Sequence, residues 1–121
     1  MTSRKILISI CSLEQFKKNV RSSFRSAAAG ESAHDPIHRV YFTSEDDLFS
    51  TLSPKRMVLL KFLKKAGPLS CRKLAELLNR AYSNVHQDVK QLSQLELIQK
   101  DEHQKLVVPW DEIEIAVSLV A

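Results

Sequence analysis

Residues 67–94 read GPLSCRKLAELLNRAYSNVHQDVKQLSQ, and this stretch decides the fold. Gly67-Pro68 is a breaker pair, so a new element must start beyond it. Ser70 can accept a hydrogen bond from a first-turn N–H and serves as an N-cap. Leu74, Ala75, Leu77 and Leu78 then give a short helix its apolar face. Asn79-Arg80 makes a turn, and a second helix starts at Tyr82. In it Val85, Val89 and Leu92 fall at i, i+4 and i+7, the spacing of one buried stripe. At about 100° per residue from Val85, the far face carries Ser83, Gln87, Lys90 and Gln94. These side chains gain nothing from a core but can hydrogen-bond base edges and phosphates. The pair reads as a helix-turn-helix whose second helix presents its polar face to a major groove.

Downstream, Leu97-Ile98-Gln99-Lys100 and Lys105-Leu106-Val107-Val108-Pro109 flank the polar turn Asp101–Gln104. That pattern predicts a β-hairpin, a wing beside the helix pair. Ile113, Ile115 and Val117 alternate with Glu114, Ala116 and Ser118, which predicts a final strand.

Upstream, Ser53-Pro54 places Ser at an N-cap and Pro at the first helical position. The helix from there to about Lys65 buries Met57, Leu59, Leu60 and Leu63. Ser44 with Asp47 three residues on is a variant capping box before a short helix ending near Leu52. Ile37–Phe42 is β-branched and aromatic and reads as a strand, as does Arg4–Ile10. Ser12 caps a helix over about 13–29, with Leu13, Phe16, Val20 and Phe24 on one side. Its other side carries Lys17, Lys18, Arg21 and Arg25, and Gly30 ends it. The polar stretch 31–36 is a connector. The reading is thus an α+β chain, a winged helix-turn-helix with an N-terminal strand–helix extension. Residues 1–36 form the extension and residues 37–121 the DNA-binding domain.

The net charge is +4 over 121 residues, but it is unevenly spread. Residues 1–30 hold six Lys/Arg against one Glu, and residues 54–110 hold eleven against five acids. Residues 31–53 and 111–121 are acidic. Positive charge therefore gathers on the N-terminal segment and the helix-turn-helix, the electrostatic footprint of a phosphate binder. Apolar content of 44% with 26% charged is that of an ordinary soluble domain. No apolar run approaches the roughly 20 residues that span a bilayer. Cys11 and Cys71 have no metal or redox spacing, which points to a reduced, cytoplasmic protein.

Four segments carry a resemblance: Leu52-Ser-Pro-Lys-Arg56, Gly67-Pro-Leu-Ser-Cys-Arg-Lys-Leu-Ala75, Arg80-Ala-Tyr-Ser-Asn-Val-His-Gln-Asp-Val89 and Val108-Pro-Trp-Asp-Glu-Ile-Glu-Ile115. Together they resemble a family of small bacterial and archaeal predicted transcriptional regulators. These are winged helix-turn-helix proteins, some of them antitoxins of type II toxin–antitoxin pairs. The family tends to carry Gly in the wing turn and in the turn before the wing, and His103 and Glu96 stand near those positions here. The resemblance implies a DNA-binding regulator.

The candidate DNA contacts are Ser83 and Gln87 to base edges, with Lys90 and Arg80 to phosphates or guanine. Tyr82, Asn84, His86 and Gln94 flank them, and Lys100, His103 and Lys105 lie on the wing. The ordinary alternative for each is a solvated helix face or hairpin. Asp88 lies near the apolar side and reads as an ion-pair partner of Arg72 or Arg56. Leu13, Phe16, Val20 and Phe24 are expected at a homodimer interface, with packing onto 37–42 as the alternative. Lys17 and Arg21, with Lys18 and Arg25, would touch phosphates or dock an acidic partner such as a toxin. His34 and His38 straddle Pro36, so they do not form a helical metal pair. With two glycines there is no phosphate-cradling loop, and neither an enzyme nor a cofactor is expected. The functional reading is a sequence-specific binder of double-stranded DNA, acting as a repressor and open to an autoregulating antitoxin. The alternative is a winged-helix module for protein–protein contacts.

Overall fold

The structure, a computed structural model, describes residues 3–11 and 38–120. Within them the order is β1 (Lys5–Ile10), β2 (His38–Phe42), α1 (Glu45–Thr51), α2 (Pro54–Ala66), α3 (Cys71–Leu78), α4 (Tyr82–Gln94), β3 (Gln99–Lys100), β4 (Leu106–Val107) and β5 (Glu112–Ala116). The chain is α+β. Among the described residues, four helices accompany a three-stranded parallel sheet and a two-stranded antiparallel pair. The expected helix at 13–29, and with it Leu13, Phe16, Lys17, Val20, Arg21 and Phe24, lies outside the described residues.

Local chemistry places each helix. Ser44 Oγ accepts from Asp47 N at 3.2 Å, and Glu45, Asp46 and Asp47 put negative charge at the positive end of α1. Ser53 Oγ accepts from Arg56 N at 3.4 Å to open α2, with Pro54 in its first turn. Lys64 and Lys65 sit in its last turn, where cations suit the dipole. Gly67 ends α2 at φ 91°, a conformation that favours glycine. Ser70 caps α3 through Lys73 N at 3.1 Å.

The turn between α3 and α4 is tight because Asn79 adopts the left-handed conformation at φ 55°. Its N–H bonds to the Glu76 carbonyl, and the next N–H, from Arg80, reaches the Ala75 carbonyl. This double closure is the Schellman pattern. The same pattern ends α4, where Glu96 N bonds to Ser93 O and Leu97 N to Leu92 O. There Glu96, not a glycine, takes the left-handed position at φ 63°.

The sheet order is β2-β1-β5, so β1 is the central strand. The register aligns Ile6 with His38 and Ile113, and Ile8 with Val40 and Ile115. In a parallel ladder such partners share a face. That face lies on the helices: Ile6 and Ile8 are fully buried in one cluster with Leu48, Leu59, Leu63, Leu74, Val85, Leu92 and Leu97. The strand assigned from sequence to an extension thus contributes to the same core as the helix pair.

Trp110 ties the pieces together. Its Nε1 donates to Glu96 O at 2.8 Å, at the turn after α4. The His38 ring lies 5.0 Å from it, and the Arg4 guanidinium stacks at 5.0 Å. His38 Nε2 meets the Glu96 carboxylate at 2.8 Å. Arg4 and Asp111 exchange backbone and carboxylate bonds of 2.7 and 2.8 Å. No helix among the described residues is long and apolar enough to cross a membrane.

Candidate nucleic-acid interface

The amphipathic pattern of α4 is realised. Val85, Val89 and Leu92 are buried, whereas Ser83, Asn84, His86, Gln87, Lys90 and Gln94 are exposed. Tyr82 is also exposed, and its ring lies 5.7 Å from that of His86. Arg72, from α3, places its guanidinium 5.1 Å from the Tyr82 ring centre. Cation and ring hold each other at the start of the helix. Ala81 precedes α4 and provides no side-chain cap. The Asn84 N–H, the counterpart of those that Ser44, Ser53 and Ser70 accept, turns instead to the Ala81 carbonyl at 3.1 Å.

The hairpin is docked beside α4 by the loop before α3. Leu69 and Leu106 exchange backbone hydrogen bonds of 3.2 and 2.7 Å, an antiparallel bridge that extends the β3–β4 pair. The hairpin turn is built on Asp101, whose Oδ1 accepts from both His103 N and Lys105 N at 2.9 Å. Gln104 N bonds to Asp101 O, and Gln104 sits in the left-handed region at φ 63°. The special backbone position of the turn is therefore Gln104, one residue beyond His103.

Between α4 and the hairpin runs a groove of about 630 Å³. Val89 and Leu106 contribute apolar wall. Tyr82, His86, Lys90 and Gln94 line it from the helix, and Lys100 and Gln104 from the hairpin. The structure so brings together five of the expected contacts: Tyr82, His86, Lys90, Gln94 and Lys100. Ser83, Asn84, Gln87, His103 and Lys105 are exposed but outside the groove lining. Among the described residues, Lys90, Lys100 and Lys105 have no acidic partner, so their charge is open to a ligand. His103 stands 3.6 Å from the Glu102 carboxylate.

Arg80 is placed differently from its expected role. Its Nη2 donates to Asp88 Oδ2 at 2.7 Å, while Arg56 Nε donates to Asp88 Oδ1 at 3.1 Å. Arg56 also donates to Thr51 O at 3.0 Å. One carboxylate therefore clamps two guanidiniums, from α2 and from the α3–α4 turn, onto the flank of α4. Asp88 does pair with Arg56 as expected. Its second partner is Arg80, because the Schellman turn folds Arg80 back against α4, while Arg72 is taken by Tyr82.

The groove includes residues that the pattern of α4 did not single out: Ser70, Cys71 and Ser93. Ser70 and Cys71 open α3, and the hairpin's docking onto Leu69 carries them to the groove. Burial pushes the Cys71 thiol above its ordinary value of 9.0, so the thiol is kept protonated there.

The chain belongs to the HVO_A0114 family, whose model matches residues 51–115. The match runs from the end of α1 through nearly all of β5, and so includes the helix pair, the hairpin and the groove. No curated protein and no solved structure matches the chain.

Proposed function

We propose that this chain is a winged helix-turn-helix regulator that binds specific double-stranded DNA as a homodimer in the cytoplasm, and that it represses transcription. In this reading α3 and α4 are the helix-turn-helix and β3–β4 is the wing. The observation that carries it is the outer face of α4. Every exposed residue on it except Tyr82 is polar or basic, and it adjoins a groove where, among the described residues, no acid pairs with Lys90 or Lys100. Gln87 and Ser83 read base edges, and Lys90 and Lys100 hold phosphates. A module built for protein contacts would favour exposed apolar anchors on such a face. The resemblance to regulators that include antitoxins suggests autoregulation, with a toxin as an added partner.

The test is selection of bound duplexes from a random pool. A single enriched site is expected. Gln87→Ala should cost about 1–3 kcal/mol at that site and relax one base position. Failure to enrich any site, or wild-type binding by a Gln87→Ala/Lys90→Ala variant, would remove α4 as the reader.

A further inference from the structure

We infer that the outer edge of β5 is a self-pairing surface, and that a second copy of this chain adds its own β5 there, antiparallel, about a two-fold axis at Ile115. It gives the homodimer proposed above its interface, and it holds whether or not the dimer binds DNA. β5 is an edge strand: β1 lies on one side of it, and on the other no strand pairs with it among the described residues. Such an edge carries unpaired N–H and C=O groups, which proteins commonly guard with proline, bulges or charge. Here the guard is charge, and Lys5 answers it. Glu112–Ala116 contains no proline. Its charges, Glu112 and Glu114, lie on the face away from the helices, where Lys5 approaches them at 3.8 and 3.4 Å. Their charge is answered from within the protomer.

The apolar pattern continues past the strand. Ile115, Val117, Leu119 and Val120 are 41%, 37%, 96% and 83% exposed, the largest run of exposed apolar side chains in the described sequence. The other sheet edge, β2, presents no comparable run.

The self-complementarity of this segment selects the partner and the register. With the axis at Ile115, Ile115 faces its own mate, Ile113 faces Val117, Glu114 faces Ala116 and Glu112 faces Ser118. Apolar meets apolar on the face that bears Ile8, and no glutamate faces another. Moving the axis to Glu114 would set that carboxylate against itself, which is destabilising. The period-2 alternation forbids a one-residue slip, because it would turn the isoleucines to the opposite face. A second copy therefore fits by both charge and shape, and two three-stranded sheets become one of six.

The experiment is sedimentation of the intact chain at micromolar concentration without DNA, with cysteine cross-linking as a second readout. Wild type should sediment as a dimer. Ile115→Lys sets two ammonium groups across the axis and should sediment as a monomer. Its circular dichroism should match wild type, since the position is already partly exposed. Under oxidation Ile115→Cys should form a covalent dimer, because directly opposed Cβ atoms lie within disulfide reach. Glu112→Cys, opposite Ser118, should not. If Ile115→Lys fails to fold, the cysteine pair decides. A monomeric wild type, a dimer that survives folded Ile115→Lys, or equal cross-linking at 112 and 115 would overturn the proposal.

Discussion

Replacing Asp88 with alanine removes the acceptor of two arginines at once. The side chains of Asp88, Arg56 and Arg80 are 13%, 16% and 22% exposed. They lie between the fully buried case, where stripping one partner costs about 3–5 kcal/mol, and the surface case, worth about 0–1 kcal/mol. Arg56 keeps its bond to Thr51 O, which softens the loss, but Arg80 keeps no other acceptor among the described residues. Asp88→Ala should therefore destabilise by about 2–3 kcal/mol, and Asp88→Asn, which retains an acceptor oxygen, by about half as much. Urea unfolding followed by Trp110 fluorescence measures both. The midpoint should fall with the slope unchanged, since the surface exposed on unfolding is the same. The same substitution frees the Arg80 guanidinium beside the start of α4. In the folded fraction, DNA affinity should rise and its log–log salt slope should steepen by up to about 1. A stability change under about 0.5 kcal/mol, within the range of an indifferent surface change, would refute the clamp.

Other consequences follow from particular backbones and ionisations. Gln104→Gly should stabilise by about 1 kcal/mol, because φ 63° is strained for any residue with a Cβ; thermal melts check it. Glu96→Gly should gain less, since it surrenders the 2.8 Å contact with His38. Asp111 is held below the usual carboxylate range, first by the Arg4 N–H and then by Lys64. The stability it contributes is present above the ordinary carboxylate pKa and lost as pH falls through its lowered value, so Asp111→Asn should flatten the acid limb of a stability–pH curve. Cys71 has the opposite sign: stability should hold below about pH 9 and fall as pH rises through the raised thiol pKa, and Cys71→Ala should remove that alkaline loss.

The helices were legible because their ends are written in local chemistry. Ser44, Ser53 and Ser70 cap, Gly67 stops, and the apolar spacing in α4 names its buried face. The strands were legible from alternation, but their pairing was not. Nothing local in Lys5–Ile10 states that it will lie between His38–Phe42 and Glu112–Ala116, because parallel neighbours distant in sequence share no turn to announce them. The same limit hid Trp110, whose partners Arg4, His38 and Glu96 come from three separate segments. The polar face of α4 was legible as a surface, but the fate of Arg80 was not. It depends on the left-handed Asn79, which turns Arg80 toward Asp88 and leaves Lys90 and Lys100 as the groove cations without an acidic partner among the described residues.

A salt titration of duplex binding, by fluorescence anisotropy, with wild type and a Lys90→Ala/Lys100→Ala variant tests the proposed DNA site. Removing the two proposed phosphate contacts should lower the log–log slope by about 2 and weaken specific and non-specific duplexes alike. An unchanged slope in a variant that melts like wild type would contradict the assignment of the α4–hairpin groove to DNA.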